Sequence, residues 1–278
     1  MTTSAPHGYA SRHRAAVEQR GRLCAGIDPH TELLEQWGLP VSATGLERFA
    51  DICVAALAPV AAVVKPQVAF FEVFGAAGFT VLERVIRDCR EAGALVLADA
   101  KRGDIGTTMA AYADAWLEDR SPLCADAVTV SPYLGFGALR PALDAASAAQ
   151  RCAFVLARTS NPDGAEIQLA DAGGRAVGQT VVDAAAAENT DGSGSVGLVV
   201  GATRAHGLDL SGLHGPILAP GLGAQGATPG DLPEVFAGAD TRWLVPASSR
   251  GVLRSGPDVD ALRDAFCHTR DAVETALG

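Results

Sequence analysis

Eight short apolar runs, each ending in polar, glycine or proline residues and most followed by a stretch of helical composition, constrain this chain more than any other feature. They cover residues 22–27, 60–64, 94–98, 125–130, 152–157, 196–200, 216–219 and 242–245. Helices are expected over 45–57, 76–91, 107–119, 137–148, 165–187 and 258–277, with weaker helix signals after the sixth and seventh runs. Strands that stay apolar along nearly their whole length are buried on both faces, which points to a parallel sheet covered by helices. Eight such units fit an α/β fold closed as a single (β/α)8 TIM barrel over residues 1–278, and barrels of roughly 250 residues form one domain. A doubly wound open sheet is the alternative. Two segments stand outside the alternation: a polar N-terminal segment, 1–20, and NTDGSGS at 189–195, read as a mobile surface loop.

Charge and cysteine usage narrow the function. Lys plus Arg number 22 against 32 for Asp plus Glu, and a net charge of -10 repels nucleic-acid backbones, so no nucleic-acid partner is expected. No stretch reaches the roughly 18 apolar residues of a membrane span, and 1–20 lacks the apolar centre of a signal peptide. Cys24, Cys53, Cys89, Cys124, Cys152 and Cys267 are scattered without a C-x-x-C pair, the pattern of reduced, mostly buried thiols. A soluble cytoplasmic enzyme is expected. The six histidines form no H-x-H or H-E-x-x-H pair, which predicts mostly solvent-facing rings and no metal site. Ser160 is not in a G-x-S-x-G turn, so hydrolysis by a serine nucleophile has no support.

Polar residues gather where the runs end. Asp28 follows the first, Lys65 the second, Asp99 and Lys101 the third, Ser160 and Asn161 the fifth, and Arg250 the eighth. In a barrel all strand carboxyl ends open on one face, so these groups converge where barrel active sites are built. Asp99 and Lys101, two residues apart, fall on the same side of an extended strand. Lys65 closing an apolar run either meets a carboxylate or extends to water. Asp104 either joins this charged array or caps the helix that follows.

DAKRGDIGTT, from Asp99 to Thr108, resembles the D-x-K-x-x-D-I/V-x-x-T signature of the orotidine 5′-monophosphate decarboxylases. VVKPQVAFFE (63–72) is similar to the second-strand segment of one subgroup of that family. AGIDPH, LARTSNP, APGLGAQG and PASSRG follow in the family's order, so the resemblance covers nearly the whole chain, while Gly106-Thr107 departs from a Pro-Asn pair found in many members. The resemblance implies decarboxylation of orotidine 5′-monophosphate to UMP in pyrimidine biosynthesis, with neither metal nor organic cofactor. It also implies a homodimer with shared active sites. On the matching positions, Lys65, Asp99, Lys101 and Asp104 form the catalytic array, with Asp104 supplied by the neighbouring subunit. Asp28 holds ribose hydroxyls, and Thr108 reaches the substrate across the interface. Ser160 faces the pyrimidine amide edge, Gln225 reaches phosphate and base, and Arg250 holds the phosphate. Asn161 and Gly251 complete the substrate-binding set.

The chemistry agrees with these roles. Loss of carbon dioxide from C6 leaves an electron pair in the ring plane, out of reach of the π-system. A lysine ammonium at C6 stabilises that pair and then protonates it. Asp99 held near the substrate carboxylate adds ground-state repulsion of roughly 4 kcal/mol at 4 Å and an effective dielectric near 20. We rank that below the preorganised lysine charge.

GLGAQG (221–226) matches G-x-G-x-x-G but lacks the context of a dinucleotide fingerprint, because TPGDLP interrupts any following helix and Asp240 precedes the next strand instead of ending it. A loop after strand seven working with Arg250 fits a barrel phosphate site better. Two other readings remain open: a metal-using decarboxylase of a keto-sugar phosphate on the same barrel, and a catalytically silent nucleotide-binding regulator, which would have no need of Lys101.

Overall fold

The computed structural model describes residues 8–203, 205–223 and 226–278. The strands are β1 (Cys24–Ile27), β2 (Val63–Pro66), β3 (Leu95–Arg102), β4 (Ala127–Val130), β5 (Cys152–Arg158), β6 (Val196–Val200), β7 (Ile217–Pro220) and β8 (Leu244–Ser248). Each pairs in parallel with its neighbours, and β8 pairs with β1, so the sheet closes into a barrel in sequence order and the open-sheet alternative falls. Around it run α1 (Tyr9–Arg20), α2 (Thr31–Gln36), α3 (Ala43–Leu57), α4 (Val68–Glu72), α5 (Gly75–Glu91), α6 (Gly106–Leu117), α7 (Arg140–Ala148), α8 (Ala165–Gln168), α9 (Val177–Glu188), α10 (Leu232–Val235), α11 (Arg250–Leu253) and α12 (Val259–Leu277).

The strands are apolar throughout because they serve two cores. Alternate side chains enter the barrel interior, where Cys24, Val63, Leu95, Leu97, Cys152 and Phe154 pack together. The residues between them, such as Val64, Val96, Ala98 and Val155, face the helices and meet Phe49, Leu82 and Phe266. This period of two places the site. Continuing the inward series past Val63, past Leu97 and past Ala127 gives Lys65, Asp99 and Thr129, one layer higher toward the carboxyl ends.

Two local features depart from the sequence reading, and a third adds anchors to an expected loop. The polar segment 1–20 contains α1, which lies across the amino ends of the strands, touching Asp126 before β4, Gln150 before β5 and Trp243 before β8. Its burial is confined to Tyr9, Ala10 and His13, too few positions for an amphipathic signal. The single helix expected over 165–187 is two, α8 and α9. Gly173 and Gly174, at φ 73° and 89°, carry the chain through a turn in which the Gly174 amide donates to Asp171 Oδ1. Finally, 189–195 is tied at its ends: the buried Asn189 amide donates to the Val196 and Leu213 carbonyls, and Gly194 lies against Trp243.

The histidine expectation is corrected as well. Among the described residues, His13 and His206 are buried and His30 is half-buried, while His214 and His268 are exposed. Ring packing on Tyr9, Trp243 and Phe236 accounts for the two buried ones. All six cysteines are unpaired thiols, five of them buried. No helix among the described residues is long and apolar enough to cross a membrane.

Candidate active site

A cavity of about 350 Å³ opens at the carboxyl ends of the strands. Asp28, Lys65, Asp99 and Lys101 lie on one side, and Leu156, Val199, Leu218 and Ala247 supply apolar wall. Ser160, Asn161 and Arg250 stand at the loops above. Seven residues of the expected set therefore converge from strands far apart in sequence.

Asp99 is the hub. It is 8% exposed, and its Oδ2 lies 2.9 Å from Lys65 Nζ. Its Oδ1 accepts from Lys101 Nζ at 2.6 Å and from Thr129 Oγ1 at 2.9 Å. Burial alone would raise this carboxyl, but Lys65 and Lys101 reverse that and hold it well below the ordinary carboxylate range. Burial likewise works against the Lys65 charge, and Asp99 with Asp28, whose Oδ1 is 4.0 Å away, overturns it and raises the lysine above its usual range. Both groups are ionised at neutral pH.

Lys101 reaches Asp99 by a route the strand period did not foresee. It keeps the inward phase of Leu95, Leu97 and Asp99, but with φ 48°, at a shift in the β3–β4 register between Ala98 and Arg102. The Lys101 amide donates to Thr129 Oγ1 at 2.9 Å, so one threonine holds both the lysine backbone and the Asp99 carboxylate. A left-handed backbone at a long side chain costs of order 1 kcal/mol and is characteristic of functional positions. The Lys101 side chain remains 43% exposed.

Gln67, two residues past Lys65, completes the cluster. Because an ammonium only donates and a carboxylate only accepts, its carboxamide nitrogen faces Asp99. It then donates to the Asp99 carboxylate, and its oxygen accepts from Lys101 Nζ at 3.3 Å. The sequence reading passed over Gln67 and Thr129. A lone hydroxyl in the apolar run AVTV was the available signal, since a buried hydroxyl must find a partner. It also missed Ser249, whose buried Oγ has no partner among the described residues, and the His30–Phe70 ring pair, 4.1 Å apart at the cavity rim. Gly26 is required beside Ser249, because a Cβ there would stand 2.6 Å from the serine Cβ.

Asp104, Thr108 and Gly251 lie apart from the cavity. Asp104 sits between β3 and α6, half-buried, its Oδ1 accepting from the Ile105 amide at 2.8 Å, and Ile105, not Asp104, is the cap residue of α6. Thr108 is exposed on the first turns of α6. Gly251 is behind the cavity wall, where a Cβ would approach Ser248 Oγ to 3.0 Å and Gly223 Cα to 3.8 Å. Gln225 falls outside the described residues. The 221–226 segment opens no long helix. Of its described residues, the Gly223 amide donates to the Ala227 carbonyl and the Gly226 amide to the Gly223 carbonyl, and the chain goes on into the short α10.

Fold and site together define a (β/α)8-barrel protein with a lysine–carboxylate cluster at the mouth of a small-molecule cavity. The model of the orotidine 5′-phosphate decarboxylase / HUMPS family matches residues 21–265. The orotidine 5′-phosphate decarboxylase of Streptomyces coelicolor is 55% identical over 276 residues, covering 97% of this chain and 98% of the relative. A crystal structure from Streptomyces avermitilis, assigned as the same enzyme, superposes with a TM-score of 0.94 at 51% identity, covering 100% of this chain and 98% of its own. The orotidine monophosphate decarboxylase of Leishmania donovani gives 0.76 at 29% identity over 97% and 99%. The chain belongs to the orotidine 5′-phosphate decarboxylase / HUMPS family.

Proposed function

We infer that the chain decarboxylates orotidine 5′-monophosphate to UMP, and that Lys101 is the proton donor to C6. One observation carries the residue assignment: the Lys101 ammonium is fixed 2.6 Å from Asp99 Oδ1 while its side chain stays 43% exposed and lines the cavity. When the C6–carboxylate bond breaks, the electron pair stays on C6. A proton then passes from Lys101 Nζ to that carbon, carbon dioxide leaves, and the neutral amine is reprotonated from solvent. Asp99 stands beside the departing carboxylate, and Lys65 keeps Asp99 ionised and in place. The apolar wall of Leu156, Val199, Leu218 and Ala247 suits a pyrimidine face, Asp28 the ribose, Ser160 and Asn161 the base edge, and Arg250 with Gly221 and Leu222 the phosphate. The test is orotidine 5′-monophosphate absorbance followed in the presence of a chelator. Steady loss of substrate is expected, and unchanged substrate at micromolar enzyme would overturn the assignment. Loss that needs added magnesium would favour the metal-using sugar-phosphate reading.

The site is completed by a second copy of the chain, which brings Asp104 and Thr108. Large apolar side chains stand exposed after β2, β3 and β4, namely Val73, Ile105, Tyr133 and Leu134, with Ile105 next to Asp104 in the chain. Lys101→Ala and Asp104→Ala homodimers are each expected to be nearly inactive. After unfolding and reassociation together, one site of each heterodimer keeps both residues. With random pairing, activity recovers to about a quarter of wild type. Heterodimers that form without recovery would mean that Asp104 serves its own chain. The six unpaired thiols support a cytoplasmic placement.

A further inference from the structure

At the end of β5 the buried Arg158 guanidinium, 6% exposed, donates through Nη1 to Gln168 Oε1 at 3.0 Å. The Thr159 amide donates to the same oxygen at 3.0 Å. Both partners can only donate, so they decide which end of the Gln168 carboxamide is oxygen. Its nitrogen is thereby turned to Thr159 Oγ1, to which it donates at 2.8 Å. The threonine hydroxyl has one proton and two acceptors in reach, Gln168 Oε1 at 3.2 Å and Asn161 Oδ1 at 2.7 Å. A hydroxyl cannot accept from and donate to one carboxamide at workable angles, so its proton goes to Asn161. The oxygen of the Asn161 amide is thus fixed toward Thr159, and its nitrogen is the end left to donate to a ligand in the cavity that Asn161 lines.

Room for this chain of bonds is made by Gly164. A Cβ there would stand 2.8 Å from Gln168 Oε1 and 2.9 Å from Thr159 Oγ1. A register shift between Leu156 and Arg158 brings the arginine to the base of the loop.

We propose that Arg158, Gln168 and Thr159 form a polarity relay that presents Asn161 to the substrate as a hydrogen-bond donor, with Gln168 the positioning residue. The relay selects a ligand that offers an acceptor oxygen at this point, either a ring carbonyl or a phosphoryl group. It rests on the reading of Asn161 as a substrate contact. Gln168→Glu breaks the polarity without removing the packing. Its carboxylate still accepts from Arg158 and Thr159, but it no longer donates to the threonine, whose proton is then drawn to residue 168 and away from Asn161.

The experiment is a double-mutant cycle of Gln168→Glu and Asn161→Ala, read as Kd for UMP and for uridine together with the Tm of each variant. Asn161→Ala is expected to raise Kd for UMP about three- to tenfold. Gln168→Glu is expected to reproduce that loss with Tm unchanged, and the double variant to lose no more than either single one. A loss that vanishes with uridine assigns the acceptor to phosphate, and one that persists assigns it to the ring. If Asn161→Ala leaves Kd unchanged, the reading of Asn161 as a contact is wrong and the proposal falls with it. If Asn161→Ala weakens binding but Gln168→Glu does not, or the two losses multiply, the contact stands and the relay is overturned. Gln168→Met removes the acceptor from Arg158 as well and is expected to lower Tm, which separates anchoring of the loop from orientation of the amide.

Discussion

The barrel carries a buried carboxylate between two cations at each end. At the carboxyl end Asp99 lies between Lys65 and Lys101, and at the amino end Asp126 lies between Arg12 and Arg90, with Asp126 3% exposed. The charges are alike, but the remaining hydrogen-bond capacity differs. Asp126 Oδ2 accepts from the Val96 amide at 3.0 Å. Arg12 divides its fork between Asp126 and the Gln150 carbonyl, which ties α1 to the strands. Lys101 has three N–H donors, of which one goes to Asp99 and one more weakly to Gln67, leaving a proton facing the cavity. A buried carboxylate whose cations also bind backbone carbonyls, Arg12 that of Gln150 and Arg90 that of Cys124, holds a fold together. The same arrangement of charges with an unspent donor beside open volume can do chemistry.

The largest contrast is expected from the paired substitutions Lys101→Ala and Arg12→Ala. Lys101→Ala should lower kcat at least about a thousandfold while UMP still binds, because the lysine acts on charge that exists only in the transition state. Arg12→Ala should leave kcat of the folded enzyme alone and reduce stability to urea by about 2 kcal/mol, since the partner left behind is buried. A Lys101→Ala enzyme that keeps a tenth of wild-type turnover, or an Arg12→Ala enzyme as slow as Lys101→Ala, would erase the distinction between the two ends.

Arg250→Ala sharpens the contrast within the carboxyl end. Charge-assisted bonds to phosphate are worth about 1.5–3 kcal/mol, so KM for orotidine 5′-monophosphate should rise roughly 10- to 100-fold. Phosphate-free orotidine should be unaffected, and an equal effect on both ligands would remove Arg250 from the phosphate site.

An effect confined to acidic pH belongs to His13 at the amino end, stacked between Tyr9 and Trp243 with neither ring nitrogen bonded. Burial, with a smaller contribution from Arg14, lowers its pKa to about 4. A histidine titrating near 6.5 in the unfolded chain binds the proton first, so between pH 6.5 and 4 the unfolded state holds more protons and stability falls as pH falls. Going from pH 7 to 5 should cost about 2 kcal/mol through this residue. Urea unfolding of His13→Leu should show a shallower pH dependence over that range, and an unchanged slope would mean that the ring is protonated without loss of α1.

All eight strands were legible because a barrel strand is apolar on both faces and short, a pattern local to five or six residues. The short helices α2, α4 and α11 were not legible, being less than two turns each, and α1 was hidden by its polarity. The split of 165–187 follows from Gly173-Gly174, a local signal that the helical composition on either side obscured. Among the site residues, Lys65, Asp99 and Lys101 could be read because charge at the end of an apolar strand needs a partner or water. Gln67 could not, because nothing near it in sequence distinguishes an amide with a distant partner from one in solvent, and for Thr129 the apolar run AVTV signalled only that the hydroxyl needs a partner, not which one.

The sequence by itself determined the alternation of strands and helices and the sheet end at which polar strand ends meet, while closure into a barrel was settled by the pairing of β8 with β1. It also determined the residue types of the charged cluster, because a two-residue side-chain period and the cost of burying charge act locally. Only the tertiary structure decided which charges share a carboxylate, that Lys101 reaches Asp99 through a left-handed residue, and that Arg158 dictates the orientation of amides in the loop above the cavity. Those outcomes depend on partners brought to within 3 Å by closure of the barrel and by the folding of its loops, and no local periodicity encodes such distances.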